Sequence, residues 1–206
     1  MHRFVRNGAL ASFSFLLLSC VGQDKKSEPA ATGASFPPEG IDHLSMQVTL
    51  DVEIFGIGKD TVTLDGSVVV HRSGPQGADG KSMTGDMVGA SLRGESKVFG
   101  PIVATRSPTE KSPCSYICEG PGKYRGHFDI QGWFWLRQHD LMVYTAAPVR
   151  VEGPAAAIPP VGQQATLVTK EIQLHDLRRP GGQPIGVLHQ ASGTVRGVVR
   201  IAEHLK

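Results

Sequence analysis

Residues 44–54, LSMQVTLDVEI, place an apolar side chain at every second position without a fault. Leu44, Met46, Val48, Leu50, Val52 and Ile54 alternate with Ser45, Gln47, Thr49, Asp51 and Glu53. A strand turns successive side chains to opposite faces, so this pattern predicts a half-buried strand with one dry and one wet face. A helix would scatter the same six side chains around its axis. Residues 56–60, GIGKD, supply turn chemistry, and TVTLDGSVVVHRS then resumes the alternation through Val62, Leu64, Val68 and Val70. Gly66 lies among these four, where a bulge or bend is expected. The two segments read as a long hairpin.

The rest of the chain repeats this theme. Strands are predicted over 87–92, 98–105, 124–136, 141–145, 149–152, 165–174, 184–189 and 194–201. The segments SGPQGADG, SPTEKSP, EGPGK, EGPAAAIPP and RRPGGQP separate them, and all are turn or loop chemistry. Nothing sustains a 3.6-residue period. Short strands with Gly/Pro turns predict an all-β fold with little or no helix. The expected architecture is an antiparallel β-sandwich of roughly 8–10 strands, with a barrel as second choice. No internal repeat or composition break divides residues 41–206, which read as a single β domain.

Composition removes several function classes. Charged residues make up 19% of the chain and apolar residues 40%, which suits a packed domain rather than a solvated, disordered chain. Net charge is only +2. Removing Arg3 and Arg6 with the leader described below leaves 19 basic against 19 acidic residues. Such a chain has no electrostatic reason to bind nucleic acid. Catalytic signatures are missing as well. GPQGADGKS ends in Gly-Lys-Ser, but the residue five before Gly80 is Pro75, and no helical pattern follows. No G-x-S-x-G elbow and no H-E-x-x-H is present. A non-catalytic protein without a cofactor is the expectation. A two-carboxylate glycosidase site remains open, because its partners can be far apart in sequence.

Residues 1–20 read MHRFVRNGALASFSFLLLSC. Arg3 and Arg6 precede an apolar run of about ten residues, too short for the roughly 20 that span a bilayer and suited to a secretory leader. The run ends Leu17-Leu18-Ser19-Cys20, which resembles the lipobox of bacterial lipoproteins. The resemblance covers these 20 residues. It implies a signal peptide over 1–19, acylation of Cys20 and a membrane anchored through that lipid. Val21, rather than Asp, in the second mature position implies the outer membrane if the host has one. Residues 20–40 then carry the lipidated Cys and a polar, Pro-containing tether with a reach of roughly 25 Å. The expected setting is the extracytoplasmic cell envelope.

Cys114 and Cys118 remain once Cys20 is set aside. An even remainder in an oxidising compartment predicts a disulfide between them, pinching the SPCSYICEGPG loop. The alternatives are free thiols and a copper or zinc site. C-x-x-x-C resembles the copper pair of the envelope assembly factors that load cytochrome oxidase, which implies a distant His ligand, with His127 and His139 as candidates. That family is thioredoxin-like, and the helices it needs are not legible here.

The run HFDIQGWFWLR, residues 127–137, puts Phe128, Ile130, Phe134 and Leu136 on a core face. His127, Asp129, Gln131, Trp133, Trp135 and Arg137 share the opposite, otherwise polar face. Two flat rings beside hydrogen-bonding groups are what a sugar-binding surface needs, and peptidoglycan is an available ligand in an envelope. Cover by a loop or second sheet, or burial against a protein partner, would account for the same tryptophans. His43, His71, His175 and His189 are scattered and form no motif. The reading at this level is an envelope binding or structural module whose partner is a glycan or an envelope protein.

Overall fold

The computed structural model describes residues 36–168 and 170–199, all within one compact unit. The lipobox cysteine Cys20 and most of the tether lie outside the described residues. The fold is all-β and antiparallel, as the period-two pattern predicts. Among the described residues twelve strands run in chain order: β1 (Gly40–Ile54), β2 (Gly58–Arg72), β3 (Ser82–Ser96), β4 (Gly100–Arg106), β5 (Pro113–Gly120), β6 (Lys123–Ile130), β7 (Gly132–Leu136), β8 (Leu141–Thr145), β9 (Val149–Ala155), β10 (Gln164–Leu167), β11 (Ile172–Asp176) and β12 (Gly186–Val199). One short 3-10 turn, Arg137–His139, follows β7.

The pairings show why there are twelve strands rather than the roughly 8–10 expected for such a sandwich. β1, β2, β3 and β12 are 14 or 15 residues long and form one unbroken wall. The facing wall is built from pairs of consecutive short strands. β3 pairs with β4 at one end and β5 at the other. β4 and β5 then pair with β7 and β6, these with β8 and β9, and these with β11 and β10. Both β10 and β11 pair with β12, which returns to β1. Four strand positions of this wall are therefore each broken once. Among the described residues every strand has a hydrogen-bonded neighbour on both sides, so the two facing walls close on each other there and leave no open edge.

The breaks are stitched by buried hydroxyls. Ser107, Ser112 and Thr145 are among the few buried polar residues, and all three lie at or beside a break. The Gln131 N–H donates to Ser112 Oγ at 3.2 Å, and the Gly132 N–H to Thr145 Oγ1 at 3.3 Å. The Thr145 hydroxyl donates to Gln131 Oε1 at 3.3 Å. These contacts replace ladder bonds where the strands part, as buried backbone groups require. Thr145→Val keeps the shape but strands the Gly132 N–H and the Gln131 side chain. A loss of about 1–3 kcal/mol is expected, read as a lower urea midpoint at unchanged slope.

The hairpin β1–β2 is in unbroken register from Gly40↔Arg72 to Ile54↔Gly58. Val62, Leu64, Val68 and Val70 are all buried in the core with Leu44, Leu50, Val52 and Ile54. Gly66 marks a close approach rather than a bulge. The irregularity of β2 against β3 falls between Val69 and Val70, whereas a Cβ on Gly66 would stand 2.1 Å from the Ser91 carbonyl oxygen.

Candidate functional site

The two walls enclose a cavity of about 120 Å³. Its lining comes from both: Met46, Val48 and Ala90 of the long wall, and Phe128, Ile130 and Phe134 of the broken one, among others. These six face inward yet are only partly buried, because they border open space. Small residues create that space. Ala90, Ala104, Ala165, Ala191 and Gly193 occupy lining positions where Leu or Val would fill the interior. Eight strand positions enclose an interior just wide enough for side chains, or for one small ligand when those side chains are short. Polar groups are confined to a few lining residues, among them Arg106, Gln163 and Ser192. The Arg106 guanidinium donates to the carbonyls of Ser107 and Glu110, and Gln163 Oε1 accepts from the Ala156 N–H. An apolar void of ~150 Å³ stays dry and takes up benzene-sized guests. The chemistry on offer here is therefore dispersion and desolvation, not proton transfer.

The residues predicted from sequence are distributed differently. SPCSYICEGPG is not a pinched loop but contains strand β5, in which Cys114 and Tyr116 are buried and Cys118 is half-buried. This corrects the disulfide. Both cysteines are free thiols. Four residues along a strand separate them by about 13 Å, well beyond the ~7 Å that a disulfide can bridge. The alternation Cys-Ser-Tyr-Ile-Cys has strand period, which the cysteines had obscured.

The metal alternative is corrected by the same pleat. His127 pairs in register with Ser115 and holds its hydroxyl at 3.2 Å from Nδ1, on the face opposite Cys114. His139 lies in the 3-10 turn with Nε2 3.1 Å from the Val98 carbonyl oxygen. Among the described residues no three His, Cys, Asp or Glu side chains converge as a metal site would need. Burial, reinforced by the charges of Asp86 and Asp42, pushes the Cys114 thiol up to about 12. In a Cys20→Ser chain, Ellman's reagent at neutral pH should therefore titrate one thiol, Cys118, in the native state and two in denaturant. A mass about 2 Da below the reduced value would contradict this.

The aromatic run keeps its predicted parity across the break between β6 and β7. Phe128, Ile130, Phe134 and Leu136 pack in or against the core. Trp133 and Trp135 are on the outer face, half-buried and exposed respectively. Their expected companions divide. Asp129 is gripped by both ends of the Arg150 fork at 2.6 Å, which holds its carboxyl below the usual carboxylate range. His127 Nε2 is 3.9 Å from Asp129, and Gln131 belongs to the stitch described above. Only Arg137 joins a tryptophan, with its guanidinium carbon 4.8 Å from the Trp135 ring centre.

Residues 21–203 match a family described as a family of unknown function (DUF6073). This chain belongs to that family. No curated protein matches it. Among solved structures, this DUF6073 member is similar to DynF from the dynemicin biosynthesis pathway of Micromonospora chersina, with a TM-score of 0.76 and 22% identity. The match covers 82% of this chain and 85% of DynF. At that identity the likeness is one of fold, and a shared fold does not carry a function with it.

Sequence reasoning missed the cavity. The available signal was the recurrence of Ala and Gly at core-facing positions of otherwise apolar strands. Its meaning depends on which wall faces which.

Proposed function

We propose that this chain is a non-catalytic binding protein that holds a small apolar guest inside its closed sheet, tethered by lipid on Cys20 to the extracytoplasmic face of an envelope membrane. The observation that carries the binding reading is the interior cavity, lined almost wholly by apolar side chains that leave it unfilled. A stable domain gains by filling its core, because each void forfeits dispersion contacts. An unfilled interior between two walls that pair along both edges is accounted for by a guest that fills it. The anchor is supported by the leader and the Leu17-Leu18-Ser19-Cys20 sequence.

Calorimetric titration with benzene and toluene tests the binding reading, because guests of this size match the cavity. Saturable one-to-one binding of at least one of them is the expected result. No saturable binding of either would reject it. The anchor is tested separately: labelled fatty acid fed to an expressing bacterium should enter the wild-type chain and not Cys20→Ser.

A further inference from the structure

We infer that the outer face of β3, β4 and β7 carries a second binding site, a groove for a carboxylate-bearing sugar. It lies on the side of β7 opposite Phe134 and Leu136, and so is independent of the interior cavity. The open groove is lined by Arg93, Glu95, Pro101, Val103, Trp135 and Arg137, with backbone and edges of their neighbours.

Register builds it. Arg93 pairs with Val103 and Val103 with Trp135, so Val103 forms a floor between an arginine and an indole. The two banks are about 10 Å apart, two strand spacings, a gap that one pyranose ring fills. Trp135 is 37% exposed, which is high for so large an apolar side chain with neighbours available to cover it. The Arg137 guanidinium is stacked against that ring. Stacking uses the guanidinium's face and leaves its N–H donors free around the edge. Arg72, Arg125, Arg150 and Arg178 each have a carboxylate partner. The Arg93 and Arg137 guanidinium groups have neither an ion pair nor a hydrogen bond among the described residues.

Charge complementarity selects the ligand. Two unpaired guanidinium forks face a groove that contains one carboxylate, Glu95, leaving a net positive site for an oxyanion. The indole and the Val103 floor offer apolar surface to the C–H face of a sugar ring, and Glu95 can accept from a hydroxyl. The sequence alone pointed to a glycan such as peptidoglycan, stacked on Trp133 and Trp135 with its hydroxyls taken by Asp129, Gln131 and Arg137. With Asp129 and Gln131 committed elsewhere, the donors that remain suit an acidic one.

The chain has two tryptophans, Trp133 and Trp135, so intrinsic fluorescence reports on this face alone. The full chain is titrated with an oligogalacturonate, with a neutral cello-oligosaccharide of equal length, and with inorganic phosphate. The oligogalacturonate should shift the emission saturably and bind at least tenfold more tightly than either of the others. Arg93→Gln and Arg137→Gln should each weaken it at least fivefold, and added salt should weaken it further. No binding, equal affinity for the neutral oligomer or for phosphate, or unchanged affinity in both variants would overturn the proposal.

Discussion

Gly66→Ala should abolish stable folding. A Cβ at this position would stand 2.1 Å from the Ser91 carbonyl oxygen and 2.9 Å from the Leu92 Cα, both backbone atoms of the neighbouring strand. Neither can swing aside like a flexible side chain. Relief requires β2 and β3 to separate in the middle of the unbroken wall, beside Leu64 and Val68, where the core is most completely buried. Substitutions of this kind belong to the rare class costing more than about 4 kcal/mol, against a total of about 5–15 kcal/mol for a domain. Gly120→Ala is the matched control. It lies at the end of β5 with nothing within 4 Å of the new atom, and should change stability by less than about 0.5 kcal/mol. Far-UV circular dichroism and urea titration of the pair provide the check. A Gly66→Ala chain as stable as Gly120→Ala would mean that the two strands do not approach as described.

Ala90→Leu should have two opposite effects at once. Ala90 faces the cavity from the long wall, opposite Val68 in register. Its backbone carbonyl accepts from the Thr105 hydroxyl at 2.9 Å, and that bond survives the substitution. Three extra carbons entering a void of about 120 Å³ gain transfer and packing energy without displacing a neighbour. The guest-free protein should become more stable by about 1–2 kcal/mol. The same atoms occupy the space of the guest, so the affinity for benzene should fall at least tenfold. The ligand-induced rise in Tm should vanish with it; for the wild type, guest at 100 times Kd would add about 2.7 kcal/mol. A destabilised variant with unchanged affinity would place the guest elsewhere.

Much of the fold is legible in residues 44–70. There a single face is buried, so the strand period appears undisguised, and the hairpin and its inward set follow directly. Elsewhere the breaks in the second wall hide the architecture. Residues 124–136 read as one strand because Phe128, Ile130, Phe134 and Leu136 keep one parity through Gln131, yet the ladder parts at that residue and is restored by Ser112 and Thr145. Residues 165–174 likewise divide into β10 and β11. The segments 184–189 and 194–201 merge instead, because β12 runs through Gly193 along an unbroken partner, β1. Strand β5 was obscured by its cysteines, whose chemistry in sequence suggested a staple and whose place in the pleat forbids one.

The candidate site shows the same division. Parity alone puts Trp133 and Trp135 on the outer face. Which polar groups remain available beside them depends on cross-strand partners: Arg150 removes Asp129, and Thr145 removes Gln131. The cavity is less legible still. An inward-facing Ala is compatible with a large residue opposite it, and only the facing of two walls shows that Ala90, Ala165 and Ala191 leave a shared space.

Methyl NMR with ¹³C-labelled methionine locates the guest most directly. Met46 and Met87 line the cavity, whereas Met142 is on the outer face of β8 and Met83 packs in the core away from the cavity lining. Adding benzene should move the Met46 and Met87 methyl signals saturably, with the ring-current shifts of a nearby aromatic group, and leave Met142 in place. Shifts confined to Met142, or no saturable shift at Met46 and Met87, would contradict an interior binding site.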